Sequence, residues 1–161
     1  MTPLSYMDFD LQIQQERDGY RATVLTSPAG QASVDFQMPF SDLELENFFL
    51  RVGRTRRGTR SVGSPEMRAA QTFGSRLFDT VFGGEVRACF RSSFDQASQQ
   101  GKGLRIRLRI KDVPGLLDLP WEYLYHSSLN RFLSLSNETP LVRYLDMPEF
   151  IRPLKVKPPW V

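Results

Sequence analysis

The eight residues from Leu104 to Lys111 restrict the fold more than any other part of the sequence. Aliphatic and cationic side chains alternate without a break along this segment. A period of two places every aliphatic residue on one face of a β-strand, whereas a helix would mix the two kinds around its circumference. The pattern predicts a strand with one face in a hydrophobic core and a cationic second face formed by Arg105, Arg107, Arg109 and Lys111.

The first forty residues follow the same two-residue period. Apolar positions from Phe9 to Ile13 alternate with polar ones, which is typical of a half-buried strand. Asp18-Gly19 and Pro28-Ala29-Gly30 are turn sequences, and further alternating segments follow each of them. This order predicts an antiparallel meander of three strands.

Three helices are predicted between the meander and the Leu104 strand. Ser41-Asp42-Leu43-Glu44 has the spacing of a capping box, so a helix begins near residue 42, and Gly53 is a suitable end. Ser64-Pro65-Glu66 opens a second helix, which Gly83-Gly84 ends. A third helix is predicted from about Glu85 to Gln99.

The last third of the chain contains shorter elements. We expect a helical turn around Pro120–Tyr125 and strands at Arg131–Leu135 and Leu141–Leu145. The order of elements lacks regular strand-helix alternation, so it predicts an α+β fold with helices on one face of a mixed or antiparallel sheet. We assign residues 1–150 to a single domain. Residues 151–161 contain three prolines and are predicted to form an extended linker.

The scarcity of reactive side chains narrows the function classes. The 161 residues include one cysteine, Cys89, and one histidine, His126, so neither an internal disulfide nor a multi-cysteine zinc site is expected. Sequence motifs of phosphate-binding loops, zinc peptidases and serine hydrolases are absent, and no cofactor is expected. Cys89 falls on the apolar stripe of the third helix, which favours a packing role over a nucleophilic one. No signal sequence or membrane span is recognised, which predicts a cytoplasmic protein.

Charge is distributed unevenly along the chain. The formal charge is −6 over residues 1–50, +10 over residues 51–111 and −1 over residues 112–161. This order favours two oppositely charged parts of one domain that attract each other, and a polyanion site is the alternative.

A cluster of arginines follows the first predicted helix and contains no acidic residue. Arginine forks fit phosphate oxygens, so a nucleic-acid or nucleotide site that also uses the cationic strand face is one interpretation. No aromatic residue interleaves the cluster, which favours a solvated loop instead. The cluster consists of Arg51, Arg54, Arg56, Arg57 and Arg60.

The segment Leu119-Pro120-Trp121-Glu122 sets a bulky aromatic beside a carboxyl group. An acid catalyst with a raised pKa is one interpretation, but glycosidase chemistry would need a second carboxylate, which the sequence does not mark. We favour a structural role, in which Trp121 anchors the core and Glu122 forms an ion pair with Arg143.

From Gly103 onward the sequence closely resembles the amino-terminal part of the CHAT domain family. The matching stretches are Gly103–Leu108, Asp112–Tyr125, Arg131–Leu135 and Thr139–Leu145, and Leu-Pro-Trp-Glu followed by Thr-Pro-Leu-Val-Arg-Tyr is the most specific combination. The first hundred residues resemble the lead-in of bacterial CHAT proteins more loosely.

The resemblance implies a caspase-like cysteine peptidase whose dyad is a histidine in a Gly-His-Gly-like turn and a cysteine after a later strand. Neither motif is present, and Cys89 and His126 match neither position. We therefore expect a non-catalytic amino-terminal module that packs on and positions a caspase-like domain. An exposed apolar surface on the sheet or near Trp121 and Trp160 would mark where that domain docks. A tetratricopeptide or other effector domain is a further expected partner, and bacterial defence or regulated cell death is the implied context.

Overall fold

The computed structural model describes residues 4–53, 63–111 and 113–144. Seven strands and four α-helices lie in these ranges. In chain order they are β1 Tyr6–Glu16, β2 Gly19–Thr26, β3 Ala32–Phe36, α1 Asp42–Gly53, α2 Pro65–Val81, α3 Gly84–Gln99, β4 Gly103–Lys111, α4 Pro114–Leu117, β5 Tyr125–His126, β6 Arg131–Phe132 and β7 Leu141–Tyr144.

Five of the strands form one mixed sheet in the order β3-β2-β1-β4-β7. The first three are the predicted antiparallel meander. β4 pairs in parallel with β1, and β7 pairs in parallel with β4. The chain must cross from the meander to the other edge of β1 before β4 can pair, and the helices α1 to α3 make that crossing.

The helices begin where the sequence places them. Ser41 and Glu44 form the reciprocal capping box, in which the Glu44 backbone N–H donates to Ser41 Oγ and the Ser41 N–H donates to Glu44 Oε2. Ser64 Oγ accepts a hydrogen bond from the Met67 backbone N–H, with Pro65 in the first turn of α2.

The core lies between one face of the sheet and the helices α2 and α3. β1 and β4 contribute their alternate aliphatic and aromatic residues to it. The rings of Phe9, Phe78, Phe82 and Phe90 pack together at its centre, with centroid separations between 4.6 and 6.2 Å. The fold is therefore α+β, with the helices on one face of the sheet, as the sequence predicts.

The segment after β4 forms a smaller layer against α2. It contains α4, a 3-10 turn at Trp121–Tyr123 and the two-stranded β5-β6 hairpin. Gly74 of α2 lets this layer approach closely, because a Cβ at that position would overlap the carbonyl oxygen of Tyr123.

Two predicted elements of this segment differ from the structure. The predicted strand Arg131–Leu135 is wrong beyond Phe132, because Leu133–Leu135 form a 3-10 turn that buries Leu133. The predicted helical turn is limited to Trp121–Tyr123, and Tyr125 begins a strand instead. Here short-range contacts between turns override the local alternation of side chains.

The predicted linker at residues 151–161 lies outside the described residues. Within the described ranges, none of the helices is long and apolar enough to cross a bilayer.

Candidate functional site

The second face of the five-stranded sheet is polar, and no described helix packs on it. We call it the open face. It consists of the side chains that alternate with the core residues of each strand, and the pairing register sets the β1 residues Asp8, Asp10, Gln12 and Gln14 beside Arg105, Arg107, Arg109 and Lys111 of β4.

Asp8 is the centre of a charge network on the open face. Both of its carboxylate oxygens accept hydrogen bonds from Arg105, at 2.7 and 3.0 Å, and Oδ2 also accepts from Arg107 Nη1 at 3.0 Å. The two-point contact from Arg105 is the geometry that suits a guanidinium and a carboxylate. Hydrogen bonds from Arg105 lower the pKa of Asp8 most, with further lowering by Arg107 against the opposing effect of burial.

Asp10 extends this network by one position along β1. Arg107 Nε lies 2.8 Å from Asp10 Oδ1, and both side chains are mostly shielded from solvent. Two acidic and two basic groups thus balance at this end of the open face. The uneven charge along the sequence therefore reflects, at these positions, two strands that attract each other.

Arg109 has different surroundings. Its register neighbours are Gln12 on β1 and Tyr144 on β7, and neither is an aspartate or a glutamate. The guanidinium carbon lies 4.5 Å from the centroid of the Tyr144 ring, and the Arg107 guanidinium lies 5.1 Å from the same ring. Within the described ranges, the buried Nε of Arg109 has no hydrogen-bond acceptor. Lys111, two residues further along β4, is exposed.

The arginine cluster after α1 is described only at its first member. Arg51 is exposed in the last turn of α1. With Arg68 and Arg76 of α2 it lines a groove of about 410 Å³ between these helices, above the stacked rings of Phe48 and Phe73. Arg54, Arg56, Arg57, Arg60 and Trp160 lie outside the described residues.

Two of the groove's arginines are already bound to groups of the chain. Arg76 Nη1 lies 2.9 Å from Glu44 Oε1, and its other terminal nitrogen donates to the carbonyl of Pro39. Arg68 donates twice to the carbonyl of Gly63. These two arginines therefore do not offer unpaired cationic groups to an anion.

Trp121 is fully buried, at 0% exposure, in the layer after β4. Its indole Nε1–H donates to the carbonyl oxygen of Leu116 at 2.7 Å. This bond satisfies the indole donor in the core, as a buried tryptophan requires. Pro120 precedes it, and the Tyr123 N–H donates to the Pro120 carbonyl to close the 3-10 turn.

Arg143 of β7 binds three acceptors of this layer. Its Nη1 donates to the Leu117 carbonyl at 3.0 Å, and its Nη2 donates to the Leu119 carbonyl at 2.8 Å and to Glu122 Oε2 at 2.9 Å. The ion pair expected between Glu122 and Arg143 is present. The two backbone contacts were not expected, and they make Arg143 a clamp between the sheet edge and the Trp121 turn.

Cys89 and His126 bind different parts of the structure. Cys89 is buried on α3, with Sγ 3.2 Å from Ser27 Oγ and 3.7 Å from the Gly30 carbonyl oxygen. His126 Nδ1 accepts from the Leu129 backbone N–H, and its ring packs on Phe78. Burial is the largest cause that lowers the pKa of His126, and the nearby charge of Arg87 lowers it further. Among the described residues, no cluster of histidine, cysteine and acidic side chains has an arrangement that could hold a metal.

Sequence reasoning did not identify Tyr144 as part of the cationic face. The signal was present in the alternation of Val142 and Tyr144 on the last strand, but the partner strand and its direction were unknown. Asp8 and Asp10 were recognised only as the polar side of β1.

Comparisons of the chain with protein-family models, with curated proteins and with solved structures find no match.

Proposed function

We propose that this chain is a non-catalytic scaffold and regulatory module of a bacterial CHAT-type caspase-like cysteine peptidase. In this role it packs on a caspase-like domain and positions it. The resemblance from Gly103 onward suggests the family, and with it a setting in defence or regulated cell death.

The observation that supports this proposal is the construction around Trp121 and Arg143. The stretches that carry the resemblance are the strand β4, the Leu-Pro-Trp-Glu turn and the strand β7, and Arg143 ties the turn to β7 through three contacts. In this role these residues act as structural supports. β7 lies at an edge of the sheet.

The side chains with catalytic potential also support a non-catalytic role. Cys89 is buried against Ser27, and the ring of His126 packs against the rings of Phe78 and Phe90. The Cys89 thiol is buried and contacts Ser27 Oγ and the Gly30 carbonyl oxygen, so it does not face solvent where a substrate could reach it.

A nucleic-acid or nucleotide-binding module is the second candidate. It would use Arg51 and the following arginines together with the cationic face of β4. Arg105 and Arg107 are neutralised by Asp8 and Asp10, which weakens that face as a track for phosphates. The scaffold function is the better supported of the two.

The deciding experiment is a calorimetric titration of this chain with a caspase-like domain from the same source, made as a separate chain. We expect saturable binding and a change in peptidase activity on a fluorogenic peptide substrate. Absence of both would overturn the scaffold function. In that case a mobility shift with RNA or DNA that weakens steeply as salt rises would support the second candidate, because such binding releases counterions.

A further inference from the structure

The geometry points to a docking surface on the open face, formed by Arg109, Lys111 and Tyr144, that binds a carboxylate-bearing segment of a protein partner. We infer that this partner is the caspase-like domain, so the inference rests on the proposed function and names the contact through which it operates.

Charge pairing along β4 isolates the two cations of this surface. Arg105 and Arg107 are balanced by Asp8 and Asp10. On the far side of β1, Arg21 is balanced by Glu16 and Asp35. Among the described side chains of the open face, Arg109 and Lys111 have no acidic partner.

Tyr144 prepares Arg109 for a ligand. The guanidinium lies over the tyrosine ring, so its plane is held and less conformational freedom is lost when it binds a carboxylate. The ring itself is 44% exposed, and Val142 beside it is 40% exposed. An aromatic and an aliphatic side chain next to two unbalanced cations form a small apolar patch with a charged border, which is typical of a protein interface.

A carboxylate fits this surface better than a phosphate backbone. A nucleic acid needs a run of unpaired cations along its path. The neighbouring arginines of β4, Arg105 and Arg107, are already paired with Asp8 and Asp10 of β1. Those aspartates would repel a polyanion that continued along the strand. An isolated acidic side chain on a folded partner reaches Arg109 and Lys111 without meeting Asp8.

The test is a titration of the caspase-like domain with the R109E/K111E variant of this chain. We expect affinity to fall by at least about tenfold, because reversing two charges at a matched contact replaces attraction with repulsion. R91E/K102E is the matched control. Arg91 is exposed on α3, and Lys102 is half-buried just before β4, at the end of that strand opposite Lys111. The affinity of this variant should therefore equal that of the unmodified chain. Thermal unfolding checks that both variants are folded.

Two results would overturn the surface. Equal affinity of R109E/K111E and the unmodified chain would remove it while leaving the proposed function intact. Absence of binding by the unmodified chain would remove the proposed function and the surface together. If changing an acidic residue of the partner to a basic one restores affinity for R109E/K111E, that residue is the one that contacts the surface.

Discussion

At the scale of single residues, Asp8 links stability to pH. Its folded-state pKa lies below the ordinary value of 3.8, chiefly because Arg105 donates hydrogen bonds to its charged form. The unfolded chain therefore takes up a proton first as pH falls, so the stabilisation is complete above the unfolded pKa and is lost as pH drops through the folded one.

We expect the D8N variant to be less stable than the unmodified chain above about pH 5. The two should converge as pH is lowered through 3.8 and then through the lower folded-state pKa of Asp8. Urea denaturation across this range measures the difference. D95N, which removes an exposed carboxyl of α3, is the control. Parallel curves for D8N and the unmodified chain would contradict the role assigned to Asp8.

His126 acts in a separate pH range. Burial and the charge of Arg87 lower its folded-state pKa below 6.5, so the unfolded chain binds the proton first. Stability should therefore fall as pH decreases from about 6.5 through the folded pKa, and then level off.

The chain has one histidine, so its ring resonances can be followed by NMR without overlap. We expect them to titrate with a midpoint below 6.5, and we expect H126N to lose the associated change in stability. Asparagine retains an acceptor for the Leu129 N–H, which makes it the conservative choice. A midpoint at or above 6.5 would show that the ring is not shielded as described.

At the scale of elements, Gly74 sets the distance between α2 and the Trp121 turn. An added Cβ would collide with the Tyr123 backbone and approach Tyr125 Cβ to 2.9 Å. We expect G74A to lower the free energy of unfolding by about 2 kcal/mol or more, since backbone atoms cannot easily yield.

Gly115 provides the matched control for this substitution. It lies in α4, where an added Cβ would meet nothing within 4 Å. G115A should be neutral or stabilising by up to about 1 kcal/mol, because alanine restricts the unfolded chain. Equal effects of G74A and G115A in chemical denaturation would refute the close approach.

Arg143 holds β7 to the preceding layer mainly through carbonyl groups. Arg143 reaches its acceptors from two nitrogens, whereas a lysine has all its donors on one nitrogen. We therefore expect R143K to cost about 1–2 kcal/mol of stability. E122Q removes the exposed ion pair alone and should cost less than about 1 kcal/mol. If E122Q proves as costly as R143K, the ion pair and not the carbonyl contacts holds the element.

The local elements were predictable, and their long-range pairing was not. The caps at Ser41 and Ser64 depend on residues three positions apart, so the local sequence is enough to predict them. The parallel alignment of β1 with β4 depends on distant chain segments, and alternation alone left the sheet mixed or antiparallel. For the candidate site, the order of charges along the sequence predicts that two parts of the chain attract each other. Only the strand register shows that Arg109 and Lys111 are the cations of β4 that lie beside glutamines instead of aspartates.

At the scale of the whole molecule, one continuous core joins the sheet, the helices and the Trp121 layer. We therefore expect a single cooperative unfolding transition. Far-ultraviolet circular dichroism and tryptophan fluorescence of a W160F variant, which reports on Trp121 alone, should give coincident curves. Separate midpoints would show that the layer after β4 unfolds independently.

The central position of β1 has a consequence for synthesis on the ribosome. β1 leaves the ribosome before β4 and can pair with β2 as soon as β2 follows. Its other edge waits for β4, and Asp8 and its partner Arg105 are 97 residues apart. During that interval an unpaired strand edge is open to other nascent chains. The aspartates on this strand then repel identical copies, so the charges that later bind arginine first serve to keep unfinished chains apart.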